Sequence, residues 1–92
     1  MRRLNRQNTK KGVVPNKSGL YIIYNSKKKP IYVGNSRRLR HRIQSYYQKD
    51  CFKAHPTKRR LRGKAAFFSF RRMAIDKARA IDRKKKFRFN HS

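Results

Sequence analysis

The sequence predicts a small α+β domain in which helices flank a three-stranded antiparallel sheet, like an α/β sandwich, in the chain order β-β-α-β-α. Three observations lead to this fold class. Two β-branched and aromatic segments lie close together around a polar turn, and a segment with helical spacing of apolar residues follows them. An aromatic segment then precedes a second helical segment. With 92 residues, the chain is long enough for one such domain.

The first two strands are predicted to form a hairpin. Gly19–Tyr24 and Ile31–Gly34 are rich in the β-branched and aromatic residues that favour a pleated, half-buried strand. Between them, 25–30 is polar and ends in proline, which is typical of a turn. The two strands are therefore expected to pair with each other.

The first helix is expected directly after this hairpin. Ser36 is the natural N-cap residue. Leu39, Ile43 and either Tyr46 or Tyr47 then recur at helical spacing and give one apolar stripe. Arginines occupy most of the remaining positions, so the outer face of this helix is basic.

The third strand and the second helix follow a basic loop. Residues 65–70 are aromatic and predict a strand, and a helix is expected from about Met73 to Lys86. Ala74, Ala78 and Ile81 are predicted to form the buried face of this helix.

The chain divides into three parts on composition. Residues 1–17 form a basic N-terminal extension with few apolar residues, which is expected to be disordered in the absence of nucleic acid because it can bury little surface. Residues 18–90 form the folded domain, and residues 91–92 are its C-terminal end. We found no internal repeat.

The charge of the chain restricts its function. There are 29 Lys and Arg residues against 3 Asp and Glu residues, which gives a formal net charge of +26. A paired-carboxylate glycosidase or a calcium loop needs more carboxylates than this chain has. No apolar run approaches the roughly 20 residues that a membrane span needs. Such density of positive charge favours a polyanionic partner, and nucleic acid fits it best because binding releases counterions.

A pair of short motifs resembles the signature of the GIY-YIG nuclease domain. Gly19-Leu20-Tyr21 is followed, after ten residues, by Tyr32-Val33-Gly34. The segment 35–47 after them is similar to the helix that carries the catalytic arginine of that family. The resemblance covers about residues 18–90, which is nearly the whole chain outside the basic extension.

The resemblance implies a set of site residues. In GIY-YIG nucleases, two tyrosines and an arginine surround the scissile phosphate, and these correspond to Tyr21, Tyr32 and Arg42. An asparagine near the end of the domain corresponds to Asn90, although the usual proline before it is missing.

The family's metal-binding glutamate has no counterpart by this comparison. Counting back from Ile81 places that position at Lys77, which would repel a divalent cation. Asp76 is adjacent, but one residue along a helix turns the side chain by about 100°. The sequence therefore predicts a degenerate site.

The preferred interpretation is a catalytically inactive domain that serves as a structural RNA-binding protein of the ribosome. Its expected partners are rRNA and neighbouring ribosomal proteins, with no membrane, no small-molecule substrate and no cofactor. Its expected location is on cytoplasmic or organellar ribosomes, since the single cysteine, Cys51, indicates a reducing compartment. The residues predicted to bind nucleic acid are Arg2, Arg3, Lys10, Lys11, Arg37, Arg38, Arg40, Arg42, Tyr47, Lys58, Arg59, Arg60, Arg62, Lys84 and Lys85.

Two alternatives remain open at this point. The first is an active nuclease that cleaves DNA with Mg²⁺, with Tyr21, Tyr32 and Arg42 at the site and Asp76 recruited as the metal ligand. The second is an architectural nucleic-acid-binding protein outside the ribosome. Against any catalytic role, tyrosines are ordinary strand residues, and an aspartate on a helix more often forms an ion pair than a metal site.

Overall fold

The computed structural model describes residues 1–46 and 64–90, with the backbone alone at 85–90. It contains four strands and two α-helices within these residues. The element bounds are β1 Arg2–Arg3, β2 Gly19–Tyr24, β3 Pro30–Ser36, α1 Leu39–Gln44, β4 Phe67–Arg72 and α2 Ile75–Asn90, with a 3₁₀ helix at Gln7–Thr9. The predicted α+β class and the order β-β-α-β-α are confirmed from β2 onward.

The sheet has the strand order β1-β4-β2-β3, and every neighbouring pair is antiparallel. The predicted hairpin is β2 and β3, in which Tyr21 pairs with Gly34 and Ile23 pairs with Tyr32. The prediction of three strands was wrong by one, because Arg2 and Arg3 pair with β4 at its outer edge. Two charged residues at the chain start carry no period-2 pattern from which a strand could be predicted.

Residues from alternate positions of the strands pack on opposite faces of the sheet, because successive side chains in a strand point to opposite sides. On one face, Tyr21, Ile23 and Phe68 pack against α1. On the other face, Leu20 and Val33 pack against Ala78 of α2. The sheet therefore lies between α1 and α2, and its two central strands position residues on both sides.

The segment before β2 contributes to the core. Val14 is fully buried within the same cluster as Tyr21, and Leu4 packs against that cluster. The backbone N–H of Leu4 donates to the carbonyl of Ala66. The expectation that this segment buries little surface is corrected, since burying one valine side chain contributes about 1.5–3 kcal/mol.

The helices differ from the predicted ones in their ends. Ser36 is the last residue of β3, and its hydroxyl accepts a hydrogen bond from the N–H of Arg38 just before α1. Helix α2 begins two residues later than predicted and Ala74 lies exposed ahead of it, so Ala74 is not part of the buried face. In the described residues, no helix is long and apolar enough to cross a membrane.

Candidate active site

Three tyrosines from β2, β3 and α1 form a cluster on the α1 face of the sheet. The ring centroids of Tyr21, Tyr32 and Tyr46 lie 5.6–6.2 Å apart in all three pairs. The hydroxyls of Tyr21 and Tyr46 are 2.7 Å apart and share a hydrogen bond. Tyr21 and Tyr46 are almost fully buried, whereas Tyr32 is half-buried. Tyr32 is therefore the member of the cluster that a ligand can reach.

Burial controls the electrostatics of the cluster. It raises the pKa of Tyr21 well above its ordinary value, and the neighbouring Tyr46 and Tyr32 raise it further. Burial is also the main cause of the raised pKa of Tyr46. The hydroxyls of Tyr21 and Tyr46 therefore stay protonated at neutral pH, and either one can donate in the hydrogen bond that they share.

A close approach between β2 and β3 explains why a glycine follows Val33. A Cβ atom added at Gly34 would lie 2.4 Å from both Cζ and Oη of Tyr21. The ring of Tyr21 crosses directly over the backbone of Gly34, its partner in the hairpin. The two short motifs are therefore coupled by contact, since only glycine leaves room for the tyrosine of the other motif.

The guanidinium of Arg42 lies beside the tyrosine cluster. Arg42 is half-buried on α1, and its positive charge lowers the pKa of both Tyr21 and Tyr46 against the larger effect of burial. Arg42 also lines a cleft of about 330 Å³ between the start of α1 and the start of α2. We call this cleft the arginine cleft; its lining residues are Asn35, Ser36, Arg37, Arg38, His41, Arg42, Ile75 and Arg79.

A buried carboxylate lies next to the arginine cleft. Asp82 on α2 is 3% exposed, and its Oδ2 accepts a hydrogen bond from the side-chain amide of Asn35. Asn35 follows Gly34 directly and is itself half-buried on the cleft wall. Asn35, near the end of β3, thus lines the same cleft as Arg42 and is hydrogen-bonded to Asp82.

The acid beside the cleft is not one that the sequence comparison singled out. Lys77 and Asp76 are both exposed on the first turn of α2, and neither lines the arginine cleft. The sequence comparison passed over Asp82 because counting back from Ile81 placed the acid position at Lys77. The spacing from Ala78 to Asp82 would have predicted that Asp82 is buried. Residues four apart share a helix face, and Ala78 is fully buried against the sheet.

The other residues predicted at the site are scattered. Arg37 and Arg38 line the cleft, whereas Arg40, half-buried on α1, does not. Arg2 and Arg3 lie at the far edge of the sheet, and the guanidinium of Arg3 stacks on the ring of Phe67. Lys10, Lys11 and Lys84 are exposed. The remaining predicted contacts lie outside the described residues or among the undescribed side chains of α2: Tyr47, Lys58, Arg59, Arg60, Arg62, Lys85 and Asn90.

Comparison with known proteins identifies the family. The model of the UvrC-like GIY-YIG domain matches residues 17–81, which is most of the chain. This chain belongs to the UvrC-like GIY-YIG family. The matched residues include β2, β3, α1 and β4, and most of the arginine cleft. The resemblance of the two short motifs to that domain is thereby confirmed.

Relatives of the UvrC-like GIY-YIG domain support the assignment. UvrABC system protein C of Petrotoga mobilis is 44% identical over 36 residues, which are 39% of this chain and 6% of that protein. This chain thus spans a small part of the length of that relative. The crystal structure of the GIY-YIG N-terminal endonuclease domain of UvrC from Thermotoga maritima, bound to its catalytic magnesium, has a TM-score of 0.69 and 22% identity. That match covers 92% of this chain and 89% of the other, and a point mutant of the same domain matches equally well.

The UvrC-like assignment overturns the ribosomal interpretation. The expectations of a non-enzymatic ribosomal protein with rRNA and ribosomal proteins as partners were wrong, because the chain belongs to a UvrC-like family and shares its fold with an endonuclease domain. The physical reason is that the charge of +26 indicates a negatively charged partner but does not identify it. The phosphates of DNA satisfy that charge as well as those of RNA.

Proposed function

We propose that this chain is a nuclease domain that cleaves phosphodiester bonds of DNA with the help of a divalent cation. The single observation that carries the proposal is the position of Arg42, which lies beside the tyrosine cluster and lines the same cleft as Asn35, the hydrogen-bond partner of Asp82. Tyr32 belongs to that cluster and precedes Asn35 on β3. A proton acceptor, a cation for the phosphate and a hard-oxygen ligand are the parts that phosphodiester hydrolysis needs.

Tyr32 is the proposed general base. It is the half-buried member of the cluster, so it is the tyrosine that substrate can reach, and a tyrosine hydroxyl can deprotonate or orient an attacking water. Its ring packs against the rings of Tyr21 and Tyr46, whose hydroxyls share a hydrogen bond, and these contacts hold it in place. Tyr21 and Tyr46 are too buried to touch DNA, so they are positioning residues.

Arg42 is proposed to bind the scissile phosphate. Its guanidinium carries a fixed positive charge and five donors, which suit the oxygens of a phosphate whose charge increases in the transition state. Because Arg42 lies beside the tyrosines and on the wall of the arginine cleft, it can hold a phosphate near Tyr32.

The residues present fit a divalent cation. Mg²⁺ is commonly held by one or two carboxylates and by phosphate oxygens of the substrate, with waters in the other positions. Asp82 supplies a carboxylate, and the amide of Asn35 orients it through Oδ2. Within the described residues no cluster of three acidic, histidine or cysteine ligands exists, so a site here depends on Asp82 and the substrate. When bound, the cation would stabilise negative charge on the phosphate and the leaving oxygen.

Nicking of supercoiled plasmid tests the proposed function. We expect the purified chain to nick plasmid in Mg²⁺ or Mn²⁺ and to stop when EDTA is added. Tyr32→Phe removes the proton acceptor and is expected to lower the rate by about 10²–10⁴-fold. Arg83→Gln, an exposed change on α2, serves as the control for nonspecific charge effects. Absence of metal-dependent nicking with protein in excess over plasmid would refute the proposal.

Binding of Mn²⁺, followed by electron paramagnetic resonance, tests the metal ligand without relying on activity. Asp82→Asn keeps an oxygen that accepts the hydrogen bond from Asn35, so the fold is expected to remain intact. The variant is expected to bind Mn²⁺ at least about tenfold more weakly, a loss of about 1.4 kcal/mol. Asp76→Asn makes the same change at an exposed site on the same helix and is expected to bind like the unmodified protein. Equal weakening by both variants would remove Asp82 from this role.

A further inference from the structure

The arginine cleft has more positive charge than one scissile phosphate requires. Arg42 faces the tyrosine cluster, but Arg37, Arg38 and Arg79 line the cleft as well, together with His41. These side chains come from two separate parts of the chain, the β3–α1 connection with α1 itself, and the first turns of α2. No acidic residue lines the cleft in the described part of the chain.

Arg79 is the unexpected member of this group. It stands four residues after Ile75 on α2, and both residues line the cleft, because residues at this spacing share a helix face. Asp82 follows three residues later, so Arg79 lies about one turn of helix from the carboxylate beside Asn35. The cleft therefore extends from the proposed cleavage point along the start of α2.

From this arrangement we propose that the arginine cleft binds a second phosphate of the DNA strand, next to the one that is cleaved, with Arg79 and Arg37 as its main contacts. This inference rests on the proposed function, whose scissile phosphate lies at Arg42. A guanidinium binds phosphate oxygens through paired hydrogen bonds, and phosphate contacts set the register of a protein on a nucleic acid strand. A phosphate held in the cleft would fix which bond of the strand reaches Tyr32.

The cleft also explains how a small domain can position a flexible strand. One phosphate contact leaves the strand free to rotate, whereas two contacts at separate points define its direction. The two helices that line the cleft are anchored by buried residues, Leu39 and Ile43 on α1 and Ala78 on α2. Arg42 and Arg79 therefore project from packed helices, and Arg37 lies in the short connection between β3 and α1.

The test is binding of a short fluorescein-labelled DNA strand in EDTA, measured by fluorescence anisotropy at several salt concentrations. Arg79→Gln is expected to weaken binding about three- to tenfold and to reduce the slope of log Kd against log salt by about 0.7, the value for one lost phosphate contact on a single strand. Arg83→Gln removes the same group from the same helix outside the cleft and is expected to change the affinity less than about twofold.

A second readout follows the cleft itself. The ring signals of His41, assigned with His41→Gln, are expected to shift on addition of the strand, and Arg79→Gln is expected to weaken that response. If Arg79→Gln behaves like Arg83→Gln and the His41 signals do not respond, the cleft proposal is refuted. Plasmid nicking tests the proposed function separately. If nicking fails but both cleft readouts respond, the second-phosphate site stands as a DNA contact and the nuclease does not.

Discussion

Replacement of Gly34 by alanine tests the contact that couples the two motifs. The added Cβ would lie 2.4 Å from Cζ and Oη of Tyr21. Atoms in normal contact are about 3.5–4.0 Å apart, so the ring must move by roughly 1 Å. The ring is 2% exposed and its hydroxyl is bonded to Tyr46, which leaves it no open space to move into.

The expected cost of Gly34→Ala follows from these contacts. Overpacking a dense core costs about 1–3 kcal/mol. Loss of the hydrogen bond between the hydroxyls of Tyr21 and Tyr46 adds about 1 kcal/mol. We therefore expect the free energy of unfolding to fall by about 2–4 kcal/mol, and Tm to fall by at least about 8 °C in a domain of this size.

Thermal unfolding followed by circular dichroism measures the effect, with Tyr21→Leu as the second member of a double-mutant cycle. Leucine lacks the Cζ and Oη atoms that the new Cβ would meet. In the Tyr21→Leu background, Gly34→Ala is therefore expected to cost less than about 1 kcal/mol. A cost for Gly34→Ala of under about 0.5 kcal/mol in the unmodified protein, or equal costs in both backgrounds, would refute the predicted contact.

Three further predictions concern the tyrosines and the charge. Tyr46→Phe removes the hydrogen-bond partner of the buried Tyr21 hydroxyl and is expected to cost about 1–3 kcal/mol in urea unfolding; an unchanged midpoint would contradict this. Because the folded pKa of Tyr46 is raised, its contribution to stability is fully present below the unfolded pKa of about 10 and is lost as pH rises above it. Between pH 10 and 11, the free energy of unfolding of the unmodified protein should thus fall by up to about 1.4 kcal/mol more than that of Tyr46→Phe. Parallel pH profiles for the two proteins would contradict this prediction. Finally, the net charge of +26 predicts that Tm rises between low and moderate NaCl as repulsion is screened, and a flat or falling Tm would oppose this.

The hairpin, the tyrosines and Arg42 were predictable from sequence because each depends on a local pattern. Strand composition located β2 and β3, and the two tripeptides at their spacing identified Tyr21 and Tyr32. The pairing of Tyr21 with Gly34 then brings those tripeptides together. Tyr46 was predicted only as an apolar residue of α1, and its hydrogen bond with Tyr21 depends on the packing of that helix on the sheet.

Asp82 and Val14 were missed for different physical reasons. The burial of Asp82 depends on helical phase relative to Ala78, whereas the count back from Ile81 placed the acid position at Lys77, on the exposed face. Val14 lies in a basic segment with no apolar periodicity, so its burial depends entirely on tertiary packing. Charge density alone fits RNA and DNA equally, so the proposal of DNA depends on the family match.

The most direct test of the proposed catalytic site is the single-turnover rate of DNA strand cleavage by Asp82→Asn, compared with Asp76→Asn under the same Mg²⁺ conditions. Both variants remove one carboxylate from α2, but only Asp82 is buried beside Asn35 at the arginine cleft. We predict that cleavage by Asp82→Asn falls by at least about 10²-fold, or about 2.7 kcal/mol, while Asp76→Asn cleaves at nearly the unmodified rate. Full cleavage by Asp82→Asn, or its loss in Asp76→Asn alone, would contradict the assignment of the catalytic carboxylate.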